Sequence, residues 1–148
     1  MSGWDYSDTE AAMVAWVQAR TQVGPDAWCR KVGTRMEIGS VAEEMQVTPA
    51  VYVVYGNPVV KAADDDSYAL HHRWFLVLAL ATPAAQRDAS AMARLAGPKL
   101  AQLANLHGKT LTGCRSPLRL ATPAPPLHMP KFSYYALAFT CESNHCND

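Results

Sequence analysis

No stretch of this chain is long and apolar enough to cross a bilayer as a helix. The longest apolar run, Trp74–Ala81, has eight residues, against the roughly 20 that a membrane-spanning helix needs. The opening, "MSGWDYSDTEAAM", lacks a basic segment leading into an apolar one, so no export signal is read there. A surplus of charge of one sign is missing as well. Thirteen Lys and Arg oppose thirteen Asp and Glu, which argues against a surface built to hold nucleic acid, because phosphate binding needs excess cation. The four cysteines, Cys29, Cys114, Cys141 and Cys146, lack the spacing of a secreted disulfide framework. These absences, with no internal repeat, lead to the expectation of one domain over residues 1–148, soluble and made in a cytoplasm.

What is present is a run of short periodic segments. Ser7 and Glu10 in "SDTE" have capping-box spacing, and Met13, Trp16, Val17 and Arg20 follow at helical intervals. They predict a helix from Ser7 to Arg20, ended by Gly24 and Pro25. Weaker patterns suggest a strand at Trp28–Val32 and a helical turn at Ser40–Met45. Val51–Tyr55 is a run of β-formers, apolar on both faces, bounded by Pro49 and Gly56–Pro58. A polar connector, "VVKAADDDSYALHH", leads to Trp74–Ala81, where apolar residues again occupy both faces. Such a strand must be covered on both sides. From Ala84 to Leu106 the period turns helical, with Met92, Leu95, Ala96, Leu100, Leu103 and Leu106 in one stripe. Gly97–Pro98 predicts a kink or brief break in this helix, and Gly108 its end. Strands are expected in "SPLRLAT" and "FSYYALAFTCE". The order predicts an α+β fold: a mixed or antiparallel sheet with the N-terminal helix and a long kinked helix on one face.

Catalytic patterns fail one after another. In a strand, Cys141 shares a face with Tyr135, Leu137 and Phe139, so it reads as a core cysteine. His145 and Cys146 fall in residues 143–148, a polar segment expected to form a flexible C-terminal tail. No paired knuckles give a zinc site its four ligands. "HGKT" lacks the earlier glycine of a phosphate-binding loop and follows a helix instead of opening one. His71 and His72 are neighbours, so a strand points them to opposite faces as surface or edge histidines. Asp64, Asp65 and Asp66 lack the alternation and glycine of a calcium loop and read as a solvated tip. Ser40 sits in no nucleophile elbow. No catalytic, cofactor-binding or metal-ligating residue is assigned.

The ordered set "TPAVYVVYG", "HRWFLVLALAT", "LAGPKLAQLANLHG", "SPLRLATPAPP" and "FSYYALAFTCE" resembles the tail terminator proteins of tailed bacteriophages, particularly those of Mu-like transposable phages. The agreement runs from about Thr48 to Glu142. The resemblance implies a small α+β subunit of a six-membered ring on the head-proximal end of the tail tube. That ring stops tube polymerisation and offers the docking surface for the head. The implied partners are other copies of the chain, the tail tube protein and a head-completion or connector protein. DNA passes through the lumen without sequence-specific contact, no membrane is involved, and assembly takes place in the host cytoplasm. The family carries no catalytic residue to transfer.

Within that frame the connector Asn57–His72 is the candidate ring or tube interface. Tyr68 and Leu70 would be apolar anchors beside His71 and His72, and Asp64, Asp65 and Asp66 would line the lumen, repelling DNA. Read from its residues alone, the connector is equally an exposed loop. Three other readings stand beside the terminator: a head-tail joining protein, a small enzyme using Cys141 or the paired histidines, and a monomeric binding module.

Overall fold

The computed structural model describes residues 6–35, 47–82, 89–123 and 125–146. Helix α1 spans Ser7–Thr21 and is followed by strands β1 (Lys31–Arg35), β2 (Ala50–Tyr55), β3 (Val59–Ala63) and β4 (Ser67–Ala81). Helix α2 (Ala89–Leu103) passes into a 3-10 turn at Ala104–Leu106, and β5 (Arg119–Ala121), β6 (Leu127–His128) and β7 (Phe132–Cys146) complete the chain. The fold is α+β, a single domain around one seven-stranded mixed sheet of order β1-β2-β4-β7-β5. Among the described residues only β1 and β2 run parallel; β3 adds to β4 beside β2, and β6 adds to β7 beside β5.

The spine is the antiparallel pair β4–β7, aligned over all 15 residues of each strand from Ser67↔Cys146 to Ala81↔Phe132. The opposite flank of β4 pairs first with β2, from Ala79 to Trp74, and then with β3, from His71 to Tyr68. Pairing on both flanks satisfies the backbone of a strand too buried to reach water.

Side-chain parity then sorts the sheet. Val51, Val53, Trp74, Leu76, Leu78, Leu80, Phe139 and Cys141 fall on the face that meets Met13 and Val17 of α1 and Met92, Ala96 and Leu103 of α2. The other face gathers Ala50, Tyr52, Val54, Val77, Ala79 and Tyr134, all buried. Arg35 and Lys31 lie over the Tyr52 ring there, at 4.3 and 5.8 Å from its centroid.

Several expectations need correction. The connector before Trp74 is a β-hairpin, so Trp74–Ala81 is only the second half of a longer strand. Residues 143–146 do not fray: they pair with Ser67–Leu70, and residues 147–148 lie outside the described set. Tyr6 takes the N-cap of α1 in place of Ser7, with no side-chain cap bond. Trp28 and Cys29 are not strand; both backbone amides donate to Thr21 O, closing the end of α1, and β1 begins two residues later. Leu95 is exposed instead of sharing the α2 stripe. At Pro98 only the alternative of a brief break is corrected: helix α2 continues through it, with Gly97 and Pro98 both on its exposed side. The helical turn expected at Ser40–Met45 lies outside the described residues.

Gly56 sits where the β4 flank passes from β2 to β3. Its amide donates to Arg73 O at 2.6 Å, and a Cβ there would stand 2.9 Å from that same oxygen and 3.2 Å from the Phe75 ring. Gly56→Ala is expected to lower the denaturant midpoint, a loss of about 1–3 kcal/mol. At Gly97 nothing lies within 4 Å, so Gly97→Ala is expected to raise stability by about 0.5–1 kcal/mol through helix propensity. Equal midpoints for the two variants would contradict the close approach at Gly56.

Candidate functional site

The halves of β4 and β7 beyond Trp74 and Phe139, with β3, form an arm that continues the sheet. Its turn is made by Asp64. One carboxylate oxygen accepts from the amides of Asp66 (2.9 Å) and Ser67 (2.7 Å), and the Ser67 hydroxyl donates to it as well. An aspartate that bonds backbone two and three residues on is a turn former. Those bonds to Asp66 and Ser67 also lower its pKa, keeping it ionised.

Parity carries through the arm. On the helix-side face, Trp74 is followed toward the tip by His72, Leu70 and Tyr68 of β4, and Phe139 by Cys141, Ser143 and His145 of β7. Here the apolar core gives way to a polar relay. The Tyr55 hydroxyl lies 2.8 Å from His72 Nδ1, His72 Nε2 lies 2.6 Å from Ser143 Oγ, and Ser143 Oγ lies 2.8 Å from His145 Nε2. More than one proton arrangement completes this chain of bonds, with Tyr55 donating at one end, His145 Nε2 donating at the other, or both at once, since the Ser143 hydroxyl can accept twice. Each leaves His145 Nδ1 buried with no hydrogen-bond partner among the described residues. Rings close around the relay: Tyr68 stacks on His145 (5.2 Å, 17°), and Tyr6 stacks on Tyr55 (3.7 Å, 14°). Burial pushes the Tyr55 hydroxyl up to about 12, so it stays protonated.

The opposite face of the arm is wetter. His71 is half-buried there, and Lys61, at a register shift in β3, meets Glu142 at 2.8 Å. Both partners of that pair are substantially exposed, so it contributes at most about 1 kcal/mol. Lys61 is also what holds the Glu142 carboxyl below its ordinary pKa.

The residues picked from sequence therefore separate. Asn57 and Asp64–Asp66 are exposed, at the base and the tip of the arm. Tyr68 is half-buried against His145, while Leu70 is fully buried and offers no surface to a neighbour. His72 is no surface histidine but the centre of the relay, with 7% exposure. Tyr6, Tyr55, Ser143 and His145 were not singled out as site residues. The signal for the last two was the alternation in "CESNHC", which continues the parity of Cys141 once the segment is recognised as strand.

Chemically, the relay joins β2, β4 and β7, and its groups are engaged with one another. Cys141 is the reverse of an activated nucleophile: its bond to Cys114 and then burial push the thiol well above the ordinary range. A family model described as phage tail terminator protein matches residues 18–145. The chain belongs to that family and is a structural protein of the phage tail, located in the tail of the virion. Its family is one of structural proteins, not enzymes. No curated protein matches the chain. No helix among the described residues is long and apolar enough to cross a membrane.

Burial first, and then the neighbouring His145 and His71, hold His72 below its ordinary pKa of 6.5. The unfolded chain therefore takes up a proton more readily than the folded one. The stability contributed by neutral His72 is complete above pH 6.5 and is lost as the pH falls from there toward the lowered folded value. The thermal midpoint is expected to drop between about pH 7 and 5, above the range where Glu142 and Asp64 titrate. His72→Gln, which keeps a polar group without the titration, is expected to flatten that slope. An unchanged slope would show that another group drives it.

Proposed function

We propose that the protein forms a closed ring, six-membered as in the resemblance to Mu-like phages, on the head-proximal end of the tail tube. It stops tube polymerisation there and provides the surface on which the head docks. Its partners in this reading are neighbouring copies, the tail tube protein and a head-completion or connector protein, with DNA passing through the lumen unread.

The observation that carries the ring is that the sheet ends in two different apolar edges. On one, β3 pairs with β4 alone and exposes Val59 (61%) and Val60 (56%). On the other, beside β7, the β5–β6 region exposes Leu120, Leu127 and Met129 at 44, 50 and 43%. Two unlike patches on opposite edges are what a head-to-tail contact requires, and such contacts repeated around an axis close into a ring. An unpaired strand edge with apolar side chains is also a surface that a lone subunit cannot leave open without risking aggregation. A formal net charge of zero lets copies approach without mutual repulsion.

The acidic tip is then the part of the arm left for the lumen. Asp65 and Asp66 stand exposed beside the ionised Asp64, and negative charge along the path of DNA limits sticking. Tyr68 contributes to the arm through its stack on His145 and His72 through the relay, while the exposed Asn57 and half-buried His71 are left to meet a neighbour.

Electron microscopy of particles from a phage with an early stop codon in this gene tests the role. Full heads beside tails of excessive, uncontrolled length, cured by supplying the protein, are expected. Normal-length tails beside heads that fail to attach would move the protein to a connector. For the edge contact, Val59→Glu with Val60→Glu is expected to leave the circular dichroism spectrum intact while abolishing rings and restoring overlong tails. Normal rings from that variant would overturn the assignment of β3 to the contact. Asp65→Lys with Asp66→Lys is expected to leave tail length normal and to slow DNA ejection.

A further inference from the structure

Cys114 lies in the segment between the 3-10 turn and β5, and its Sγ is 2.8 Å from Sγ of Cys141 on β7. The two thiols are unequal. Cys141 is 2% exposed, in the core beside Trp74 and Phe139, whereas Cys114 is half-buried and reachable from solvent. We propose that Cys114 and Cys141 are a redox pair, open as thiols in a reducing medium and joined as a disulfide by exchange with a low-molecular-weight disulfide such as oxidised glutathione. This inference rests on the geometry of one chain and stands whether or not the ring reading does.

The segment carrying Cys114 is already held in place, so little movement is needed to close the bond. Arg115 N donates to Glu142 O at 2.8 Å, one residue from each cysteine, and Glu142 N donates to Ser116 Oγ at 2.8 Å, which together fix the segment against β7. On its other side Thr9 Oγ1 donates to Thr112 O at 2.7 Å, tying it to α1. Gly113 adopts φ +86 in a backbone region that favours glycine, where a Cβ would collide with the Thr9 hydroxyl. The backbone on both sides of Cys114 is thus positioned before any bond forms.

The asymmetry sets the order of steps. The hydrogen bond shared with Cys141 lowers the pKa of Cys114, so Cys114, the less buried of the two, is the sulfur that attacks as thiolate. It displaces one glutathione thiolate and forms a mixed disulfide. Cys114 no longer carries the charge that kept the proton on Cys141, and Cys141 loses that proton and attacks Cys114 Sγ. The second glutathione leaves. Two protein thiols have been oxidised to one disulfide, one glutathione disulfide has been reduced to two thiols, and the two protons end on those thiols. Inside a cell, glutathione keeps the pair open; a virion released to an oxidising medium would close it. Closure would bind the segment that carries α1 contacts to β7, one of the two fifteen-residue strands of the sheet.

The test uses the purified full chain, incubated with oxidised glutathione, alkylated, and digested with trypsin without reduction. Arg115, Arg119 and Lys131 lie between the two cysteines, so cleavage separates them unless they are bonded. A linked pair of peptides is expected, with fragmentation placing the bond at Cys141 and not at Cys146 of the same peptide. The thermal midpoint of the oxidised protein is expected to exceed that of the reduced protein by roughly 5–10 °C. Cys114→Ser, at a half-buried position, is expected to fold and to lose both the link and the redox dependence of the midpoint. Glutathione retained on Cys114, a bond from Cys114 to Cys29 or Cys146, or alkylation of both sulfurs after oxidation and unfolding would each overturn the proposal.

Discussion

The fold depends on one constraint, that β4 must be hydrogen-bonded on both flanks along its length. Half of it is core, where Leu76, Val77 and Leu78 have essentially no exposure, and buried amides without partners would be costly. The fifteen-residue register with β7 meets that demand on one side, and β2 followed by β3 meets it on the other. The same register assigns every side chain to a face, because parity set at Trp74↔Phe139 cannot change without a bulge. Where the helices lie across the face, the residues are apolar. Beyond that cover Tyr55, His72, Ser143 and His145 join the buried Leu70, and mutual hydrogen bonds supplement hydrophobic packing.

What the chain revealed in advance followed the same physics. The apolar runs Val51–Tyr55 and Trp74–Ala81 and the alternation from Tyr135 to Cys141 were read as strands because both or one of their faces must be buried. The helix of Met13 and Val17 was legible from its period. The arm was not legible, since "KAADDDSYALHH" and "ESNHC" carry little β propensity and each becomes a strand only by pairing with the other. Their partners are more than seventy residues apart in sequence, so no local window contains the reason for the structure. The site suffered accordingly. Asn57 and the Asp64–Asp66 tip are exposed as expected, but Leu70 and His72 are interior, and the relay escaped notice because Ser143 and His145 had been placed in a tail.

Ordering the arm changes what a neighbouring copy would meet. A loose loop would pay conformational entropy on every contact it made. A strand held in register presents Val59, Val60 and the acidic tip at fixed positions, which suits an assembly whose subunits must all bind alike. The Cys114–Cys141 contact lies two residues along β7 from Ser143, the relay partner of His72, so the thiol pair and the histidines act on the same stretch of ladder.

Hydrogen–deuterium exchange of the free protein tests most directly that the ladder extends through the arm. The account predicts that amides of residues 67–72 and 141–145 exchange slowly, as part of one protected unit with residues 74–80 and 133–139. Rapid exchange in the arm beside a protected core would contradict it, leaving the connector a loop and its residues without the fixed placement on which the proposed interface depends.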